Sequence, residues 1–469
     1  MARLSDLGLT LGDIDLGSGD AESDRRLSDY FVKTPYVDSA LSIKRSHFLG
    51  SKGSGKSALF SQLDRLFIET GHETLIVRKM TPDQYAWNAL RQYKEQGLSS
   101  EQAHTNAWKF SIAIEAAGSL AVMHDESISS ESAREARQLL ASFIHQNYGN
   151  ADPTLISTAT HLLKGIKSFN LEAFGFGVGF EQHDREQPLT PLVIESLLET
   201  ISVVTSEIGL VVTFDKLDDS WDGSEESKFV LIGLLKAAKE INDKYARGVP
   251  PSGLSIIVFL RTDIYEGLRF DDKDKHRALE QHIVWNADLL RTMINERLTA
   301  GLKVDDLFEP GEMRGSILPF NYIVKRTFLR PREVIQFLNE CIHRAGEEST
   351  EIKKDQVREA EERYSYWKVD DIKQEYRRLY PEFENLIEAL RQGTHRYDSL
   401  DEFEDFLRSR CRSKSRSSES KGWLDCSSMR RSSGCDWAAR VNLDFVAKTV
   451  TWSYQRQGQC TYIRVYIVV

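Results

Sequence analysis

Residues 50–57 read Gly50-Ser51-Lys52-Gly53-Ser54-Gly55-Lys56-Ser57. The pattern is G-x-x-x-x-G-K-[ST], the phosphate-binding P-loop, and each position has a physical task. The glycines permit a tight backbone path whose N–H groups converge on phosphate oxygens. Lys56 brings a charge to the β- and γ-phosphates, and Ser57 offers a hydroxyl to Mg²⁺. The helix that starts here presents its positive end to the same anion. The flanks agree with this reading. Ser46-His47-Phe48-Leu49 predicts a short strand before the loop, and Ala58-Leu59-Phe60-Ser61-Gln62-Leu63 opens a helix after it. The expected cradle is Gly50, Ser51, Lys52, Gly53, Ser54, Gly55, Lys56, Ser57 and Ala58, with ATP or another nucleoside triphosphate and Mg²⁺ as ligands.

Working outward, the chain alternates strands and helices. Thr74-Leu75-Ile76-Val77-Arg78 predicts a second strand, and residues 81–167 read as helical. Thr81-Pro82-Asp83-Gln84 and Ser132-Ala133-Arg134-Glu135 carry N-terminal capping signals. Phe174, Phe176, Val178 and Phe180 alternate with Gly175, Gly177 and Gly179, which predicts a strand or hairpin rather than a second phosphate loop. A helix is expected from Thr190-Pro191 to about Val204. Gly209 to Phe214 and Leu254 to Arg261 are near-continuous apolar strands. A polar helix over about 225–244 separates them, and further helices are expected at 286–300, 331–346 and 354–392. Such strands, with helices between them, predict an α/β fold: a parallel sheet covered on both faces. Ligands of these sheets bind beyond the carboxyl ends of the strands. The expected organisation is a loose segment over 1–28 and a P-loop core over 29–310 with a helical insertion at about 81–205. A helical lid over 311–408 and an atypical tail over 409–469 complete it.

The strand ends supply the remaining candidates. Asp215 follows a buried strand, as a Walker B acid does, and with Ser57 forms the candidate Mg²⁺ site. A plain turn aspartate would look the same in sequence. Hydrolysis also needs a group that orients or deprotonates water. The residue after Asp215 is Lys216, which cannot accept a proton while charged, so Asp218 is the candidate base. Asp218 and Asp219 could instead cap the following helix. Arg261 ends its strand where it can sense a γ-phosphate or pair with Asp263. In Phe328-Leu329-Arg330-Pro331-Arg332-Glu333, Pro331 suits the first helical position. Arg332 is a cation where the helix dipole disfavours one, so it wants an anion: a phosphate, or Glu333 or Glu340. Lys56, Asp215, Asp218, Arg261 and Arg332 are thus the candidate catalytic set.

These residues together resemble the AAA+/STAND-type P-loop ATPases of the ASCE class. The likeness is nearest to the KAP-like group of bacterial P-loop NTPases and covers residues 28–346. It rests on Leu49 through Ala58, on Phe214-Asp215-Lys216-Leu217-Asp218 and on Arg330-Pro331-Arg332-Glu333. It implies a five-stranded core with the P-loop strand central, followed by a helical lid. It also implies sensor roles for Arg261 and Arg332, and a nucleotide-driven switch of a kind often found in bacterial antiphage defence. Two features depart from it. Lys216 stands where a second acid is common, and the stretch from Lys56 to Asp215 must hold a large insertion. KAP members can carry membrane spans, whereas no apolar run here reaches the length of a span.

Composition bounds the rest. The 469 residues carry a net charge of −10, with 41% apolar and 28% charged residues. An acidic body argues against a surface that wraps nucleic acid, although residues 409–469 hold 11 Lys/Arg against 4 Asp/Glu. The five cysteines form no C-x-x-C pair, and Met1-Ala2-Arg3-Leu4-Ser5-Asp6 does not open a signal peptide. A cytoplasmic protein is expected. Expected partners are a nucleotide and either further copies of the chain or an effector protein. The function expected first is an ATP-hydrolysing switch; a non-hydrolysing signalling scaffold and a nucleic-acid-associated motor are the alternatives.

Overall fold

In the computed structural model the described residues are 3–82, 84–92, 98–149, 191–247, 252–299, 301–376 and 383–391, with a few isolated positions beyond. The alternating segment at 174–180 and nearly all of the tail lie outside them. The chain divides into two units. One comprises Gly17–Arg297 with Arg330–Arg332; the other holds the remaining residues.

The first unit is built on five parallel strands: β1 (His47–Gly50), β2 (Ile76–Met80), β3 (Leu210–Phe214), β4 (Ser252–Arg261) and β5 (Glu280–His282). Their order across the sheet is β2-β3-β4-β1-β5. The P-loop strand is therefore interior but one place from the edge, and β4 takes the centre that the resemblance implied for β1. The strands β4 and β5 differ in length and burial. β4 is ten residues long and buried from Gly253 onward, whereas β5 is short and only partly buried. Register puts Gly50 beside Arg261 and Phe214 beside Val258, so the P-loop, Asp215 and Arg261 leave the same edge.

Alternation along β4 explains how both faces are covered. Leu254, Ile256, Val258 and Leu260 belong to one buried cluster with the helices Ser100–Ala121, Glu131–Tyr148, Pro191–Thr205 and Glu225–Tyr245. Phe259 points the other way, 5.3 Å from the Phe48 ring and 6.1 Å from Phe60 of the helix Lys56–Glu69. Trp108 locks the insertion to the sheet: its indole N–H donates to the Val230 carbonyl at 2.8 Å and its ring meets Phe214 edge-on. At Gly233 the helix 225–245 approaches the helix 100–121 closely. A Cβ there would lie 2.7 Å from the His104 backbone.

Local signals shift in two places. The helix 131–148 is capped by Ser130, whose side chain accepts from Ala133 N, two residues before the expected Ser132. Glu207 reaches the Ser129 and Ser130 amides from afar, which fixes the earlier start. The helix 225–245 is capped by Ser224, not by Asp218 or Asp219.

The second unit is helical, with Pro319–Val324, most of Pro331–Ala345, Lys354–Tyr376 and Phe383–Arg391. Phe337 and Tyr364 stack at 4.7 Å in its core. Residues 3–16 belong to it through Leu4 and Leu11, both fully buried, and through Leu11 N–H donating to Ser349 O. The expected looseness of residues 1–28 does not hold for 3–28: leucines at 4, 11, 16 and 27 are spaced to bury, and all four do.

Candidate functional site

The loop 51–55 bends because Gly53 and Gly55 adopt left-handed φ values of 77° and 95°. Side chains rarely tolerate these. Gly55 sits at the N-cap of the helix Lys56–Glu69, and successive amides in this conformation form a concave anion nest. Ser54 is buried and its hydroxyl has no partner. The Ser54 carbonyl, by contrast, accepts from the buried indole N–H of Trp285 at 2.7 Å. That contact ties the loop to the segment after β5, and Tyr36 backs the indole edge-on at 6.1 Å.

Lys56 is buried, and its ammonium donates to the loop's own Gly50 and Ser51 carbonyls at 2.9 and 3.1 Å. Burial pushes its pKa down, while Asp218 and then Asp215 hold it up. Asp215 is 3% exposed and lies just past β3. Burial pushes its carboxyl pKa up; hydrogen bonds from the Ser57 side chain and the Lys216 amide, and the Lys56 charge, oppose this. Its Oδ2 is buried without a partner. An acid and a hydroxyl in contact, with a carboxylate oxygen spare, suit a hard divalent cation.

Lys216 adopts a left-handed φ of 59° and sends its ammonium to Glu22 at 2.7 Å. Asp218, three residues on from Asp215, lies with Oδ2 3.7 Å from Arg261 Nη1. Arg261 is nearly buried and makes a two-point contact with Asp263, at 3.0 and 2.6 Å. Arg332 packs its stem against Gly53, where a Cβ would lie 3.3 Å from its own. Its guanidinium donates to Gly19 O at 3.1 Å and Asp20 Oδ1 at 2.8 Å. Neither acid considered from sequence holds it: Glu333 pairs with Lys368 and Glu340 with Arg344.

All the sequence candidates therefore converge on one end of the sheet. Lys52 is exposed on the loop, and Ala58 is in the first turn of the helix, its carbonyl accepting from Ser61. Sequence reasoning missed Trp285, Asp20 and Glu22. A lone tryptophan after a three-residue strand carries no motif, and the two acids sit in a Gly/Asp-rich stretch that reads as solvated.

Residues 288–373 match the FunZ-associated C-terminal helical domain. That is under a fifth of the chain, so it describes the stretch it covers. The "Putative transposon gamma-delta 80.3 kDa protein" of Escherichia coli (strain K12) is 23% identical over 404 residues. The match takes in 82% of this chain and 55% of that protein, so the chain spans about half the length of this relative. Among solved structures, the Aeropyrum pernix ORC2 protein, described as ADPNP–ADP complexes, aligns over 94% of this chain and 93% of its own. The identity is 12% and the TM-score 0.33. The P-loop α/β fold thus rests on the sheet order and loop described above. Among the described residues no helix is long and apolar enough to cross a membrane.

Proposed function

We propose that this chain is a Mg²⁺-dependent ATP-binding and ATP-hydrolysing switch. The observation that carries the reading is the buried, unpartnered Asp215 Oδ2 beside Ser57, at the mouth of the loop that holds Lys56. A buried carboxylate oxygen with no donor is costly unless a ligand completes it. The nest of residues 53–58 and the Lys56 ammonium would hold the phosphates, and Ser57 with Asp215 would hold Mg²⁺. The cation supplies charge neutralisation across the phosphates. Lys56 gives up two carbonyl contacts to meet them. Asp218 orients or deprotonates water, Arg261 reports on the terminal phosphate, and Arg332 pairs with phosphate from the helix start. The likeness to the KAP-like and STAND groups, and with it a role in antiphage defence, stays with the motifs that suggest it. Nucleotide state would then govern assembly with further copies or an effector protein in the cytoplasm.

The test measures binding and phosphate release with Mg²⁺ and ATP for wild type, Lys56→Ala and Asp215→Ala. Wild type should bind and turn over slowly, and both variants should lose turnover. Turnover that survives in both would sink the proposal. One observation favours a non-hydrolysing scaffold: Arg261 is held at two points by Asp263. Tight binding with no phosphate release, alone or with cellular partners, selects that reading. The transposon in the relative's name favours a nucleic-acid setting, which DNA-stimulated turnover would support.

A further inference from the structure

Residues 17–24 cross the candidate site and bear three acids on three bases. Asp24 is buried, accepts from Arg297 Nη1 at 3.0 Å and from the Tyr30 hydroxyl, and is the fixed point. Gly17, with φ 72°, lies against this knot, and a Cβ there would overlap the Tyr30 hydroxyl and the Arg297 guanidinium. Between these anchors the chain makes a half-exposed tip. Asp20 pairs with Arg332, and Glu22 pairs with Lys216, the residue after Asp215. Arg332 packs its stem against Gly53, so its pairing with Asp20 ties the tip to a side chain that lies on the P-loop. Buried anchors thus carry a half-exposed acidic tip, whose Asp20 occupies Arg332, a cation that a triphosphate would attract, while Glu22 holds the tip to Lys216.

We infer that residues 18–23 are an internal anion that competes with nucleotide phosphate for Arg332, a latch that yields to ATP. The inference rests on the nucleotide-binding reading above. A carboxylate and a phosphate oxygen make the same kind of contact with a guanidinium, so one arginine serves one of them at a time. The pairs are half-exposed, so each is worth at most about fivefold in an equilibrium. The latch therefore tunes affinity and leaves binding possible.

The test uses the full chain, a fluorescent ATP analogue and Mg²⁺. Asp20→Asn with Glu22→Gln should bind the analogue roughly three- to tenfold more tightly than wild type. Arg332→Ala should abolish most of that gain, because the tip then has less to mask. Nucleotide should also speed trypsin cleavage at the exposed Arg25 and Arg26 in wild type but not in Lys56→Ala. Equal affinity of wild type and the neutral-tip variant, or slower cleavage with nucleotide, overturns the latch alone. No binding by either protein overturns the nucleotide reading and the latch with it. Thermal unfolding of the neutral-tip variant verifies that it is folded.

Discussion

Replacing Trp285 by phenylalanine separates loop shape from loop charge. The indole is 8% exposed and its N–H is the donor to the Ser54 carbonyl inside the P-loop. Phenylalanine keeps an aromatic ring against Tyr36 but removes that donor. A buried acceptor stripped of its partner costs about 1–3 kcal/mol. The smaller ring leaves space that adds about 1–2 kcal/mol, well under the cost of truncation to alanine. Stability should fall by about 2–5 kcal/mol, read in urea titration at constant m-value. The first part of that loss falls on the loop itself. If the indole holds the carbonyl so that the neighbouring amides face inward, the same 1–3 kcal/mol weakens nucleotide binding by roughly 5- to 150-fold. The assay is a fluorescent ATP titration on the sample used for unfolding. A variant that loses the expected stability but binds with wild-type affinity refutes the argument, since Trp285 would then be core and nothing more.

Other outcomes follow from the same geometry. His47 and His276 face each other at 2.9 Å, both buried, and burial is the first cause that lowers their pKa values, to about 3 and about 4. Both stay neutral in the folded chain and charge on unfolding, so stability falls as pH drops below 6.5 and continues to fall towards 4. At pH 5 the loss is about 2 kcal/mol per histidine, and urea midpoints at pH 7 and pH 5 test it; equal midpoints refute it. Arg261→Ala should strip Asp218 and Asp263 of their shared guanidinium partner and cost about 1–3 kcal/mol. Phosphate release should fall with it, and differential scanning calorimetry beside a phosphate assay separates the two effects. Gly233→Ala drives a methyl into the His104 backbone and should cost about 1–3 kcal/mol, read as a lower melting temperature. Gly53→Val combines a strained φ with a clash against the Arg332 stem and should abolish nucleotide binding at little cost in helix content by circular dichroism.

What could be read in sequence was what depends on few residues. The loop 50–57 carries its own geometry, since glycines at 53 and 55 fix the turn whatever surrounds it. The strands 210–214 and 252–261 are apolar on both faces, and only a sheet covered twice accepts such segments. Their order was harder, because β1, β3 and β4 carry no local mark of which neighbour each pairs with. What puts β4 between the other two is its length and the alternation of Phe259 against Leu260, a property of packing. Capping failed at 132 for a comparable reason: Glu207, far away in sequence, supplies two acceptor contacts that move the helix start to Ser130. The acidic stretch 20–24 read as loose because each acid is solvent-compatible alone. Their partners at 332, 216 and 297 are some 200 to 300 residues distant.

Lys216 shows why position in sequence and position in a site differ. In an extended strand the residue after Asp215 would point to the opposite face and the next one back. The chain does not stay extended. Lys216 takes a left-handed φ, so the backbone turns at once and its amide folds back onto the Asp215 carboxylate. Its side chain leaves toward Glu22, and Asp218 comes round to within 3.7 Å of Arg261. Lys216, directly after Asp215, therefore directs its ammonium to Glu22. The acid that shares the site with Lys56 and Arg261 is the one a turn later. On the proposed ATPase reading, a charged residue at position 216 is compatible with hydrolysis, and sensing of phosphate requires Arg261 to leave Asp263.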